Sequence, residues 1–122
     1  MKKLLTLILI AVAAGSCCAQ ALYTAEYYKT DPSKYLNKVV RVGIGAAKPS
    51  NFCPVKGYVS YHCFTRFLGR EGGYIYVLVS EKRSRWFFRN YGTPKNGERL
   101  MKAKFTTLKW KDGNEQYVLI LE

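Results

Sequence analysis

Few side chains in this sequence could do acid–base or nucleophilic chemistry, and their spacing keeps them apart. His62 is the only histidine, so any mechanism that needs a histidine pair is closed. The acids Glu26, Asp31, Glu71, Glu81, Glu98, Asp112, Glu115 and Glu122 fall mostly in predicted turns or at the ends of elements. Ser80, Lys82 and Ser84 have no spacing that would pair a nucleophile with a base. Cys53, Cys63 and His62 supply too few soft ligands for a metal, and the adjacent His62 and Cys63 point to opposite faces of a strand. The expectation is therefore a non-enzymatic chain with no metal and no cofactor.

The residue types that do converge are aromatic and cationic. From Tyr58 to Ser80 the sequence alternates with period two, broken once at Gly69-Arg70-Glu71-Gly72-Gly73, which reads as two strands joined by a turn. Val59, Tyr61, Cys63, Phe67, Ile75, Val77 and Val79 form the more apolar set and are assigned to a core. Tyr58, His62, Phe64, Arg66, Tyr74 and Tyr76 then point outward together. Tyr58, Phe64, Tyr74 and Tyr76 could stack on a flat ligand; Arg66, Arg41, Lys102 and Lys104 could meet its charge. These nine residues are the candidate ligand-binding set. The alternative is that the aromatics are cross-strand pairs covered by another segment.

The rest of the chain must position that face. Residues 1–21 are set apart: Lys2-Lys3, the apolar run Leu4–Ala14 and then small residues make a secretory signal pattern, with Ala19-Gln20-Ala21 fitting the cleavage rule. The apolar run is too short to span a membrane. The protein is thus expected to be exported, periplasmic or extracellular. The alternative is lipid attachment at Cys17, since Ala14-Gly15-Ser16-Cys17 loosely resembles a bacterial lipobox. Removing the signal leaves Cys53 and Cys63, and an isolated pair in an oxidising compartment reads as a disulfide.

The 122 residues allow one domain, and 48% hydrophobic with 15% aromatic residues place it among globular chains. Its formal charge of +12 favours polyanions such as nucleic acid, acidic glycans or anionic lipid, including association with a membrane surface. Residues 22–37 read as a helical lead-in, with Thr24 and Asp31 as caps, Pro32 at a first helical position and Asn37 ending the turn. Residues 38–122 read as the domain proper. Lys38–Ala47 is a strand with Val40, Val42, Ile44 and Ala46 on one face, and Gly43 and Gly45 marking a sharp bend. Ser84, Phe87, Phe88 and Tyr91 make a helical stripe within Ser80–Gly92. Glu98–Trp110 and Gln116–Leu121 are strands about an Asp112-Gly113 hairpin turn.

Strand, strand, strand, helix, strand, strand is the connectivity of the OB-fold. The expected fold class is mainly β: a five-stranded, OB-fold-like Greek-key barrel with its helix between strands 3 and 4 and its ligand face on strands 2 and 3. The run TAEYYKTDPSKYLNKVVRVGIG, Thr24–Gly45, resembles the opening of small exported bacterial OB-fold proteins. That resemblance implies a periplasmic or surface barrel and carries over no catalytic residue. Thr65–Glu71 superficially resembles the arginine-bearing segment of staphylococcal nuclease, but Val39–Ala47 lacks the aspartates that would bind calcium there. The expected function is an exported binding module for an anionic or carbohydrate-like ligand of the envelope. Its alternatives are a structural domain that pairs with an envelope protein, and a single-stranded nucleic-acid binder.

Overall fold

The structure, a computed structural model, describes residues 20–122. Most of the signal pattern, with Cys17, lies outside the described residues. A short helix α1 (Ala25–Thr30) and a 3-10 turn (Pro32–Lys34) lead into strands β1 (Lys38–Pro49), β2 (Tyr58–Phe67) and β3 (Arg70–Ser80). A second 3-10 turn (Glu81–Arg83) and helix α2 (Ser84–Tyr91) precede β4 (Arg99–Lys109) and β5 (Glu115–Leu121). The strands close into a barrel in the order β1-β2-β3-β5-β4. Every pairing is antiparallel except that of β3 with β5. This closed mixed barrel, with one helix between β3 and β4, is the expected fold class and is compatible with an OB-fold-like barrel.

One strand, β1, serves two neighbours. Lys38–Ile44 pairs with β4, and the stretch from Ile44 to Pro49 pairs with β2. Between the two the backbone must bend, and glycines make that possible. A side chain at Gly43 would lie 2.0 Å from the Arg66 carbonyl oxygen, and one at Gly45 would lie 3.0 Å from the Phe64 ring. A register shift between Ile44 and Ala46 marks a bulge, which adds one residue and reverses the alternation beyond it. For that reason the inward place expected for Ala46 is taken by Ala47, which is buried, while Ala46 turns outward.

The two helices plug opposite ends of the barrel. At one end the Ala25 N–H donates to the buried Thr65 Oγ1 at 2.9 Å, and the Thr65 hydroxyl faces the carbonyls of Gly72 and Gly73. The Tyr28 hydroxyl donates to the Arg41 carbonyl at 2.6 Å; burial, with Tyr23, Tyr27 and Tyr35 nearby, pushes its pKa well above the usual phenol range. Thr24 and Asp31, expected from the sequence to cap, make no capping bond through their side chains; the Thr24 hydroxyl instead donates to the Ala21 carbonyl. Asn37 does take the left-handed conformation, with φ of 64°. At the other end α2 buries Phe87 and Tyr91 against Tyr61, whose hydroxyl donates to the Ser84 carbonyl at 3.1 Å. Phe88, assigned to the same stripe, is 45% exposed and stacks on Tyr61 from outside, with centroids 5.9 Å apart. The short helix follows a 3-10 turn, and only the residues one full turn apart, Phe87 and Tyr91, are buried.

The β2–β3 connection is tighter than its five turn-forming residues suggest. Arg70 already pairs with Phe67, so Leu68 and Gly69 alone make the turn, both with positive φ (51° and 78°). Phe67, assigned to the core, is half-buried against the edge of Tyr23.

The apolar residues form two clusters, one on each side of the sheet. The first fills the barrel and includes Cys63; the second, of Leu78, Trp110 and Val118, lies outside it with Phe52 and Cys53 packed against it. The two cysteines are therefore separated by strand β2 and both are free thiols. The expected Cys53–Cys63 disulfide is not formed, because an inward residue of a strand cannot reach a loop folded over the outer face.

Candidate functional site

The outward residues of β2 and β3 are brought together by register. His62 pairs with Tyr76 and Phe64 with Tyr74, so the four rings stand on one patch of the sheet. The diagonal contact is the closest in orientation: His62 and Tyr74 are stacked with centroids 4.9 Å apart and planes 9° apart. Phe64 tilts against Tyr74 at 5.3 Å, and His62 against Tyr76 at 4.9 Å. Tyr76 stacks on Trp110 at 4.2 Å, and Trp110 meets the edge of Phe52 at 5.3 Å. The rings thus run unbroken from Phe64 to Phe52.

Only half of this run is open. The loop before β2 is tied down over the outer face: the Ser60 hydroxyl donates to the Phe52 carbonyl, and the Ser50 N–H donates to the Ser60 carbonyl at 2.9 Å. Under that loop Trp110 is 8% exposed, and Tyr58 and Tyr76 pack against its cluster. Tyr58 and Tyr76 are thereby half-buried against that cluster. The open half is a hollow of about 370 Å³ lined by Ala46, His62, Phe64 and Tyr74, with Lys48 and Glu71 also on its wall. Tyr74 is 53% exposed there. The bulge in β1 places the small Ala46 opposite Phe64 and Lys48 opposite His62.

Two lysines set the electrostatics of the hollow. Partial burial, and then the charges of Lys29 and Lys48, hold the His62 pKa below the ordinary 6.5. Both effects favour the neutral imidazole. Lys29 reaches the patch from α1 and donates from Nζ to the Tyr74 carbonyl at 2.8 Å. Its own pKa is lowered by burial, an effect Glu26 opposes.

Of the four cations assigned to this face, one is turned to a carboxylate and three lie on another pair of strands. Arg66 Nε lies 3.9 Å from Glu98 Oε1, the only ion pair among the described residues. The same Glu98 carboxylate accepts the Leu68 and Gly69 N–H groups at 2.7 and 3.1 Å, so Arg66 and Glu98 together brace the β2–β3 turn. Arg41 pairs with Lys102 and Val39 with Lys104 across β1 and β4, on the half of β1 that lies before the bulge. The structure consequently unites His62, Phe64 and Tyr74 and separates them from Arg41, Lys102 and Lys104. Sequence reasoning missed Lys29, Ala46, Lys48, Trp110 and Phe52. For Trp110 a signal existed: it continues the outward alternation Thr106, Leu108 of β4, which can be followed two residues further.

Chemically the hollow offers a stacked pair of aromatic rings beside one cation, Lys48, and one carboxylate, Glu71. Both thiols are held above the ordinary value by burial, Cys63 strongly, which disfavours the reactive thiolate. Among the described residues no cluster of three or more His, Cys, Asp or Glu side chains could hold a metal ion.

Fold and site together define a small closed β-barrel that carries an open aromatic platform on β2 and β3. Compared with protein-family models, with curated proteins and with solved structures, the chain matches none.

Proposed function

We propose that the protein is an exported, non-enzymatic binding module that holds one ring of a carbohydrate-like ligand bearing negative charge on the platform of His62, Phe64 and Tyr74. The observation that carries this reading is the parallel His62–Tyr74 stack, open to solvent and walled by Lys48. Its hollow, about 370 Å³, lies at the small end of the range for ligand sites, which suits a single sugar unit better than a long segment. Sugar rings have an apolar face that lies on an aromatic one, and Lys48 supplies the charge that an acidic substituent would meet. The single-stranded nucleic-acid reading is weaker, because stacked bases need cations along the backbone beside them, and Arg41, Lys102 and Lys104 lie on the β1–β4 face. Export rests on the signal pattern of residues 1–21, with lipid attachment at Cys17 as the alternative route to the envelope.

Titration of acidic and neutral oligosaccharides against the wild type and Tyr74→Ala tests the reading. An acidic oligosaccharide should bind the wild type, and Tyr74→Ala should lose about 1–3 kcal/mol, the value of one stack. Absence of binding by every saccharide, or equal binding by folded Tyr74→Ala, would overturn it.

A further inference from the structure

A second hollow, of about 630 Å³, shares no lining residue with the platform. It lies where the last turn of α2 faces the start of β4 across the connecting loop, and Arg89, Lys95 and Arg99 contribute three positive charges to its wall. We propose that this hollow is an oxyanion site that takes a phosphate group.

Three features make it a built site rather than a scatter of surface charge. Arg99 is held on two sides: its Nη1 donates to Asn90 Oδ1 at 2.8 Å, and its guanidinium lies 5.3 Å from the centre of the Tyr91 ring. The loop is fixed as a turn by the Gly97 N–H, which donates to the Pro94 carbonyl at 3.1 Å, so Lys95 and Asn96 stand at its tip. The one carboxylate in the wall, Glu98, is already engaged by the Leu68 and Gly69 amides and by Arg66. It leaves Arg89, Lys95 and Arg99 without a carboxylate partner among the described residues. Three like charges on the wall of one hollow repel, and an anion that enters relieves the repulsion while it accepts hydrogen bonds from the guanidinium groups.

The opposing feature is the negative end of the α2 dipole. That effect fades within one turn, and the exposed carbonyls that produce it are partly satisfied here: Phe88 by the Gly92 N–H and Gly92 by the Ala47 N–H. The wall lacks a free aromatic face, so recognition is by charge and hydrogen bonding alone. This distinguishes the ligand group from the ring that the platform takes, and the second site stands whether or not the platform binds a sugar.

Inorganic phosphate is the first probe and glucose 6-phosphate the second, each followed by chemical-shift changes of the full-length protein. Free phosphate and the ester should both shift Asn90, Asn96 and Arg99 signals. Shifts with free phosphate alone identify the free ion as the ligand, and shifts with both identify the phosphate group itself, free or on an ester. Arg99→Gln should weaken binding at least about tenfold, the worth of one hydrogen bond between charged groups. Asn90→Ala keeps every charge but frees Arg99, and should also weaken binding. Lys82→Gln, which removes the same unit of charge outside the hollow, should not. If neither probe binds, or if Asn90→Ala matches the wild type while Lys82→Gln weakens binding as much as Arg99→Gln, then only diffuse surface charge is at work and the proposal fails.

Discussion

The His62 imidazole lies parallel to the Tyr74 ring, 9° between planes, with the lysines of two other elements beside it: Lys29 from α1 and Lys48 from β1. Burial and those charges both disfavour the imidazolium, so the folded pKa is below 6.5. In the interval between the folded value and 6.5 the unfolded chain binds more protons than the folded one. Stability is then complete above about pH 6.5 and declines as pH falls through that interval. Since His62 is the only histidine, a proton NMR titration reads it directly. The midpoint is expected below 6.5 and should move upward in Lys48→Ala. A wild-type midpoint at or above 6.5 would contradict this account.

Two aromatic residues of the same run should behave oppositely on truncation. Trp110 is enclosed by Phe52, Tyr76 and the outer cluster, so Trp110→Ala should cost about 3–5 kcal/mol of stability. Tyr74 is half-exposed, and Tyr74→Ala should cost about 1 kcal/mol, chiefly the lost stack on His62. Urea denaturation of both variants compares them. Similar losses would mean that the open and covered halves of the platform are not distinct.

The cysteines should differ in access rather than pair with each other. Cys53 lies in the loop and Cys63 is fully buried within the barrel. An alkylating reagent should modify Cys53 in the native protein and Cys63 only on unfolding. Treatment with reductant should leave the intact mass of purified protein unchanged. A mass gain of two hydrogens would restore the disulfide.

Gly43 should tolerate no side chain. An added methyl would fall 2.0 Å from the Arg66 carbonyl oxygen, which is backbone and cannot swing aside. Gly43→Ala should therefore destabilise by about 3 kcal/mol, measured by thermal or urea unfolding. Gly113→Ala is a useful contrast: its methyl would meet nothing within 4 Å, and its cost comes from the positive φ of 86° alone.

The barrel was legible because alternation survives through most of its strands. Tyr58 to Phe64 and Tyr74 to Val79 keep period two, and so the inward and outward sets of β2 and β3 could be read directly. What could not be read depends on how the chain crosses from one strand to another. The bulge after Ile44 reverses β1 and decides that Lys48 joins the platform while Arg41 faces Lys102. No residue type announces the side on which the 50–57 loop folds, yet that choice separates Cys53 from Cys63 and covers Tyr58 and Tyr76. Charge was visible as a total and invisible as a distribution: the sequence pooled cations that the sheet deals onto separate faces.

The strand that closes the barrel, β5, follows every other strand in the chain and is held on both sides, parallel to β3 and antiparallel to β4. Until it arrives, β3 and β4 each present an open edge, and the outer cluster lacks Val118. The barrel therefore cannot close until β5 is in place, and that closure joins distant parts of the chain. A chain with those edges unfinished is in the state in which two copies could pair with each other instead of with themselves.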